Sequence, residues 1–349
     1  MQKYIPVKPS DLHDKFINFN KLFSFQGCNI FGTIGGRGYG KTYKFKKKIT
    51  KDYIFHGKKF VVIRDTIDAC EKIAENKGVK FFGDIFLEPC LARHSYSIDG
   101  FAISIDNKLA GEIVPLSAYY KYKGNYYDAE NIFFDEFIAE DVQAYRGNRA
   151  RQFANTIETI ARDRNVKVYL SANALDIGND ILEMLDIHIK NKQYGYYINK
   201  EKGVVIYYAP NSKEFLERKE KSISGTMTKG TFLDANMNHN EFERGECEIF
   251  EKRKPCNLFG IYYSNEDECI RLYKSNETNE YYVCKDINAN SYQYMRYVFN
   301  AKQMATNRKY ANADVRKFLQ NILYEKQVKF ESKYLFSVYC SICNNTLKK

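Results

Sequence analysis

The chain contains no tryptophan, six prolines and five histidines in 349 residues. No stretch approaches the 18 or more uninterrupted apolar residues of a membrane-spanning helix, and the opening MQKYIPVKPSDLHDK lacks the apolar segment of a signal peptide. The protein is therefore expected to stay in the cytoplasm, with no membrane partner. Scarce proline beside 44% hydrophobic and 15% aromatic residues excludes disorder as the main state. The nine cysteines are odd in number and follow no secretory signal, so reduced thiols are expected. Cys340-x-x-Cys343 has no second CxxC or histidine pair to complete a zinc site, and LFSVYCSIC reads as an apolar segment with small buried thiols. Acid is outnumbered, with 43 Asp and Glu against 54 Lys and Arg, and the net charge of +11 suggests a polyanionic partner. The length predicts two domains, each able to bury a core without disulfides or metals.

Residues 29–34 (NIFGTI) read as a buried strand, followed by a glycine-rich turn and by TYKFKKKITKDYIF, whose spacing predicts a helix with a basic face. KKFVVIRD at 58–65 reads as a second strand, and TIDACEKIAENKG as a helical connector ending on Gly78. NIFFD (131–135) and VKVYLS (166–171) add two strands around the helical stretch RQFANTIETIARDR. Strands alternating with helices predict an α/β domain with a mainly parallel sheet covered on both faces, placed at residues 1–210. Residues 211–242 are polar and weakly periodic, a linker or small subdomain. In 243–349, CNLFGIYYS, ECIRLYKS and NEYYVCKD predict an antiparallel meander, with helical sequence to the end. The last 64 residues hold 11 Lys and Arg against 4 Asp and Glu, so much of the excess positive charge lies there.

Gly35-Gly36-Arg37-Gly38-Tyr39-Gly40-Lys41-Thr42 fits G-x-x-x-x-G-K-[ST], the phosphate-binding loop, and stands between a strand and a helix as that motif requires. Glycines let backbone N–H groups wrap the phosphates, Lys41 reaches the β and γ oxygens, and Thr42 ligates Mg2+. The apolar strand Ile132-Phe133-Phe134 ends in Asp135 and Glu136. In such enzymes the first acid completes the magnesium site, and a glutamate after it polarises the attacking water, as hydrolysis requires. Asn173, after the strand 166–171, is placed to sense the γ-phosphate, or is an ordinary turn former. Arg162-Asp163-Arg164 close the preceding helix, where a guanidinium either reaches a nucleotide on a neighbouring subunit or complements the helix dipole. In Ser117–Tyr127, tyrosines alternate with Lys121 and Lys123, a pattern suited to sequence-independent nucleic-acid contact, or to a plain amphipathic surface. Lys44, Lys46, Lys47 and Lys48 read as a solvated helix face.

Together these motifs resemble the DNA-packaging ATPases of φ29-like phages, compact relatives of the large terminases. Beyond GGRGYGKT, Lys108-Leu109-Ala110-Gly111, Pro115-Leu116-Ser117, FFDEFI and RDR before VKVYLSANA follow that family's order across most of residues 28–175. The resemblance implies a RecA-like P-loop fold of the additional-strand, catalytic-glutamate type. It further implies ATP and Mg2+ as ligands and a homo-oligomeric ring of five subunits at the portal vertex of a procapsid in the host cytoplasm. The ring would translocate double-stranded DNA, with a packaging RNA as an optional partner. By the same carry-over Lys41 and Thr42 hold phosphate and Mg2+, Asp135 completes the metal site, and Glu136 is the catalytic carboxylate. Arg162 is the trans-acting finger, ahead of Arg164, and Lys123 serves a neighbour's nucleotide or DNA. For the C-terminal part the family implies a smaller α+β ribonuclease H-like domain. Two-metal cleavage needs clustered carboxylates, yet Leu258–Ser264 carries no acid and Glu266-Asp267-Glu268 falls in the following turn, so a nuclease-dead domain binding DNA, RNA or the portal is expected. The rival readings are a helicase, for which no second RecA-like core is present, and a non-hydrolysing nucleic-acid scaffold, for which Glu136 has no purpose. A small-molecule kinase has no use for Glu136 either.

Overall fold

The computed structural model describes residues 2–8, 11, 16–122, 128–139, 149–175, 178–229, 247–250, 253–264, 269–285, 295–299 and 308–344. Two compact units divide the chain, residues 1–175 with 181–243 and residues 176–180 with 244–349.

In the first unit a single sheet contains β1 (Lys3–Pro6), β2 (Ile30–Ile34), β3 (Phe60–Arg64), β4 (Tyr96–Asp99), β5 (Ala102–Ile105), β6 (Lys108–Pro115), β7 (Asn131–Asp135), β8 (Lys167–Ala172), β9 (Gly195–Asn199) and β10 (Val204–Tyr208). Their order is β1-β9-β10-β2-β8-β7-β3-β6-β5-β4. The run from β10 to β6 is parallel, and antiparallel pairs extend it at both edges. Parallel strands are covered on both faces, so they read as continuous apolar runs. β7 illustrates the reason, because alternate residues face opposite ways. Phe133 packs on Phe45 of the helix α1 (Lys41–His56), whereas Phe134 packs on Phe153 of a later helix.

After α1 come α2 (Ile67–Ala74), α3 (Val79–Phe82), α4 (Arg149–Ala161), α5 (Asp180–Met184), α6 (Lys213–Glu220) and α7 (Ile223–Thr228). α1 begins after Gly40 at φ 89° and ends at Gly57 at φ 69°, conformations that glycine adopts without the Cβ penalty. Its lysines are not simply solvated as the sequence suggested. Lys46 is buried and donates to the Phe81 carbonyl at 2.6 Å and to Asp84 at 2.9 Å, while Lys47 and Lys48 pair with Glu88 and Asp52. The polar stretch after residue 211 forms α6 and α7, each capped by a serine, Ser212 or Ser222, that accepts from the third residue beyond it.

The second unit is built on β11 (Cys256–Tyr263), β12 (Cys269–Ser275), β13 (Tyr281–Cys284), β14 (Arg296–Val298), β15 (Lys309–Tyr310) and β16 (Val328–Phe330), in the order β15-β14-β11-β12-β13-β16. β11, β12 and β13 form the antiparallel meander, while β14, β15 and β16 are added parallel to their neighbours. These three short strands correct the expectation of helix to the chain end, since two or three residues are too few to display strand alternation. Two helices, α8 (Ala313–Tyr324) and α9 (Lys333–Asn344), contribute Leu319, Ile322, Leu335, Tyr339 and Ile342 to the core. Cys343 is buried on α9, and burial pushes its thiol up to about 12. No group of three or more metal-ligating side chains occurs among the described residues. No helix among them is long and apolar enough to cross a membrane.

Candidate functional site

The site lies where the carboxyl ends of β2, β8, β7 and β3 meet in the order given by the sheet. Ligands of open α/β sheets bind outside these strand ends. β2 delivers the chain into Gly35–Gly40 and then directly into α1, so the loop amides and the helix N-terminus share one side of the sheet. Gly38 and Gly40 take positive φ, 79° and 89°, and a Cβ on Gly36 would stand 2.7 Å from Asn211 Oδ1. Tyr39 differs from its loop neighbours because its ring is buried against Phe215, with centroids 4.7 Å apart.

Lys41 is buried, and its ammonium donates to the carbonyls of Gly35 (2.8 Å) and Gly36 (2.7 Å) and to Asn173 Oδ1 (3.1 Å). Burial lowers its pKa to about 7, against the opposing pull of Asp135 and Glu136, while Arg37 lowers it further. Because β8 is inserted between β2 and β7, Ser171 and Asn173 stand between the loop and the acids. Asp135 Oδ1 accepts from Thr42 Oγ1 at 2.9 Å and from Ser171 Oγ. A threonine hydroxyl beside a carboxylate is a hard oxygen donor set that suits Mg2+.

Arg64, the last residue of β3, donates to Asp135 Oδ2 and to Glu136 Oε2, both at 2.7 Å. One guanidinium thus offsets the repulsion of adjacent carboxylates. Glu136 has φ 62°, a left-handed backbone for a non-glycine residue. Arg149, the first residue of α4, donates to Asp65 through Nε and Nη2, to the Phe137 carbonyl at 2.7 Å and to the Glu136 carbonyl at 3.3 Å. Arg64 therefore holds the side chain of Glu136 while Arg149 holds its main chain. The sequence reading missed Arg64, Asp65, Arg149 and Ser171. A signal was present, since VVIRD ends in opposite charges at the same sheet edge as NIFFDE.

Arg162 and Arg164 are elsewhere. The 13 residues of α4 carry the chain roughly 20 Å from Arg149 toward the amino ends of the strands. There Arg164 is committed to the carbonyls of Ala129 (2.8 Å) and Ile160 (2.6 Å). Arg162 is exposed at φ 51°, and its side chain makes no hydrogen bond or ion pair among the described residues. Lys121 is exposed at the end of the 3-10 segment Leu116–Tyr122, and Lys123 lies outside the described residues, as do Glu266, Asp267 and Glu268.

Such a sheet, with a glycine loop, a buried lysine and two acids at its carboxyl edge, defines a mixed α/β protein whose candidate site lies at the strand ends. The chain matches the podovirus DNA encapsidation protein (Gp16) family over residues 13–342, and it belongs to that family. It is 31% identical to the DNA packaging protein of Bacillus phage B103 over 253 residues, which span 71% of this chain and 73% of the relative. The DNA packaging protein of Bacillus phage phi29 is 28% identical over 256 residues, with the same shares covered. Among solved structures, a chain of the bacteriophage Phi-29 viral genome packaging motor assembly superposes with a TM-score of 0.63 at 21% identity, covering 95% of this chain and 99% of that one. The protein is thus a DNA-packaging protein.

Proposed function

We propose that the protein is an ATP-hydrolysing motor that drives double-stranded DNA into a procapsid. The observation that carries this reading is the convergence of Lys41, Thr42, Asp135 and Glu136 on one sheet edge, joined through Ser171, Asn173 and Arg64. ATP would lie with its phosphates on the loop amides and Lys41. Thr42 and Asp135 would hold Mg2+, which supplies charge neutralisation on the phosphate oxygens.

Glu136 follows Asp135 directly at the strand end, and it would orient and deprotonate the attacking water. Held by Arg64, its carboxylate is parked. The Glu136 side chain is 46% exposed, so breaking this ion pair costs no more than about 1 kcal/mol, little enough for DNA engagement to release it. Arg162 stands too far from its own loop to reach the same nucleotide. Its service would be to the neighbour's, which requires a ring, here proposed as five subunits at the portal vertex in the host cytoplasm. An arginine finger contributes roughly 10³ to 10⁵ in rate. Lys121 and Lys123 are the proposed DNA contacts.

We further propose residues 1–210 as the motor domain, 211–242 as a linker or small subdomain and 243–349 as a ribonuclease H-like domain. The antiparallel β13-β12-β11 followed by parallel β11-β14-β15 supports the last. β11 and β14 carry no acid, which favours binding of DNA, a packaging RNA or the portal over cleavage.

The test is steady-state ATP hydrolysis with and without long double-stranded DNA, for native protein, Glu136→Gln, Arg162→Ala and mixtures of the two variants. DNA stimulation, near-abolished turnover in each variant and partial rescue on mixing are expected. Rescue arises where an intact Arg162 meets an intact Glu136 across an interface. Hydrolysis indifferent to DNA, with no rescue at any ratio, removes the motor reading.

A further inference from the structure

We propose that Phe16 and Arg218 form the platform for the base and sugar of the bound nucleotide, an inference that rests on the nucleotide reading above. Phe16 is 41% exposed, whereas its neighbour Ile17 and nearby Phe19 are buried. Its ring borders the phosphate loop itself: a Cβ on Gly40 would stand 3.4 Å from Phe16 Cδ1. The backbone here is tethered to the loop, because Ile17 N–H donates to the Tyr39 carbonyl at 3.1 Å.

From the other side, α6 brings Arg218 to the same ring, with its guanidinium carbon 5.2 Å from the Phe16 centroid and 5.3 Å from that of Phe215. Phe215 is fixed against the Tyr39 ring, so this second element is also anchored to the loop. Arg218 is exposed and makes no ion pair among the described residues.

Phosphates held on the loop amides and the start of α1 leave the sugar and base to run outward past the loop's last residues, where Phe16 borders Gly40. An aromatic face stacks on any nucleobase, and a guanidinium beside it adds attraction to the base plane and to the sugar oxygens. Inorganic tripolyphosphate shares the phosphates and lacks the rest, so it separates this platform from the loop.

Calorimetric titration of the full-length protein with ADP and with tripolyphosphate tests the assignment. Phe16→Ala is expected to weaken ADP about ten-fold and tripolyphosphate less than about two-fold. Phe16→Tyr should bind ADP like native protein, and Arg218→Gln should weaken ADP several-fold with tripolyphosphate unaffected. Phe16→Leu keeps an apolar contact on Gly40 without the aromatic face, and it reads the same split if the alanine variant does not fold. Equal weakening of both ligands would show that the ring only props the loop, and native ADP affinity in Phe16→Ala would show that it does nothing; either overturns the platform. Failure of native protein to bind either ligand would instead overturn the nucleotide reading on which the platform rests.

Discussion

At the carboxyl ends of β3 and β7, Arg64, Asp65, Asp135 and Glu136 join Arg149 in one hydrogen-bonded cluster. The end of β11 in the second unit carries Tyr262, Tyr263 and Ser264, with the Arg308 guanidinium 3.9 Å from the Tyr263 ring centroid. The second unit keeps its charge network on the outside, where Lys329 of β16 meets Glu248 and Glu280 at 2.9 Å each and Lys254 meets Glu280 at 3.3 Å. Between the Arg149–Asp65 pair and the Lys329 network the contrast is one of burial. The Arg149 and Asp65 side chains are 7% and 19% exposed, against 23% and 24% for Lys329 and Glu280 and 62% for Glu248. Charges withdrawn from water are stable only as a complete set, whereas exposed ones are exchanged for water at little cost. The buried pair fixes the main chain at Glu136 and Phe137, and the exposed network stays solvated at the sheet's surface.

The sharpest way to break this comparison is Arg149→Ala. It removes the donor that serves Asp65 and the carbonyls of Glu136 and Phe137, and is expected to cost about 3 to 5 kcal/mol in urea unfolding. Replacing both partners, Arg149→Met with Asp65→Leu, should recover much of that stability without restoring turnover, because Glu136 loses its backbone hold in either case. A loss below about 1 kcal/mol for Arg149→Ala would place this pair with ordinary surface pairs.

How the sequence relates to this site follows from the same contrast. The loop GGRGYGKT and the strand NIFFDE were legible because each is local, its residues contiguous and its place in the fold carried by the order of types. The four parallel strands at the site were legible as apolar runs for the same reason. Arg149 and Asp65 are 84 residues apart in the chain, and nothing in RARQFANTIETIA or VVIRD announces that the two segments meet. Arg64 with Asp65 ends VVIRD in opposite charges, a signal that reads as the edge of a loop until the strand is set beside NIFFDE. The edge pair β4-β5, four residues each, and the two-residue β15 escaped notice because short strands borrow their identity from neighbours.

The site's second signature is an acid–base property of Lys41. Burial holds its pKa near 7, so the free loop loses this proton as pH rises through 7, whereas bound phosphate oxygens would retain it. ADP affinity should fall by up to about ten-fold per unit above pH 7, with net proton uptake on binding seen as a buffer-dependent calorimetric heat. The unfolded lysine titrates in the ordinary range and binds more protons than the folded one above pH 7. This group therefore adds stability as pH rises there, while binding weakens. Affinity flat from pH 7 to 9 would remove Lys41 as the phosphate's charge partner.

Glu280 supplies the opposite case and the smallest effect. Hydrogen bonds from Lys329 first and Tyr282 second lower its carboxyl to about 2, against desolvation that raises it. A depressed carboxylate contributes stability that is full above its ordinary value of 4.5 and is lost as pH falls toward 2. Solvent reaches both partners, so the contribution is discounted to less than about 1 kcal/mol and shrinks further with added salt. Glu280→Gln should accordingly lower the unfolding free energy only slightly at pH 7 and flatten its decline between pH 4.5 and 2. A cost for Glu280→Gln matching that of Arg149→Ala would mean that the second sheet holds its charges as tightly as the first, and burial would no longer distinguish the two.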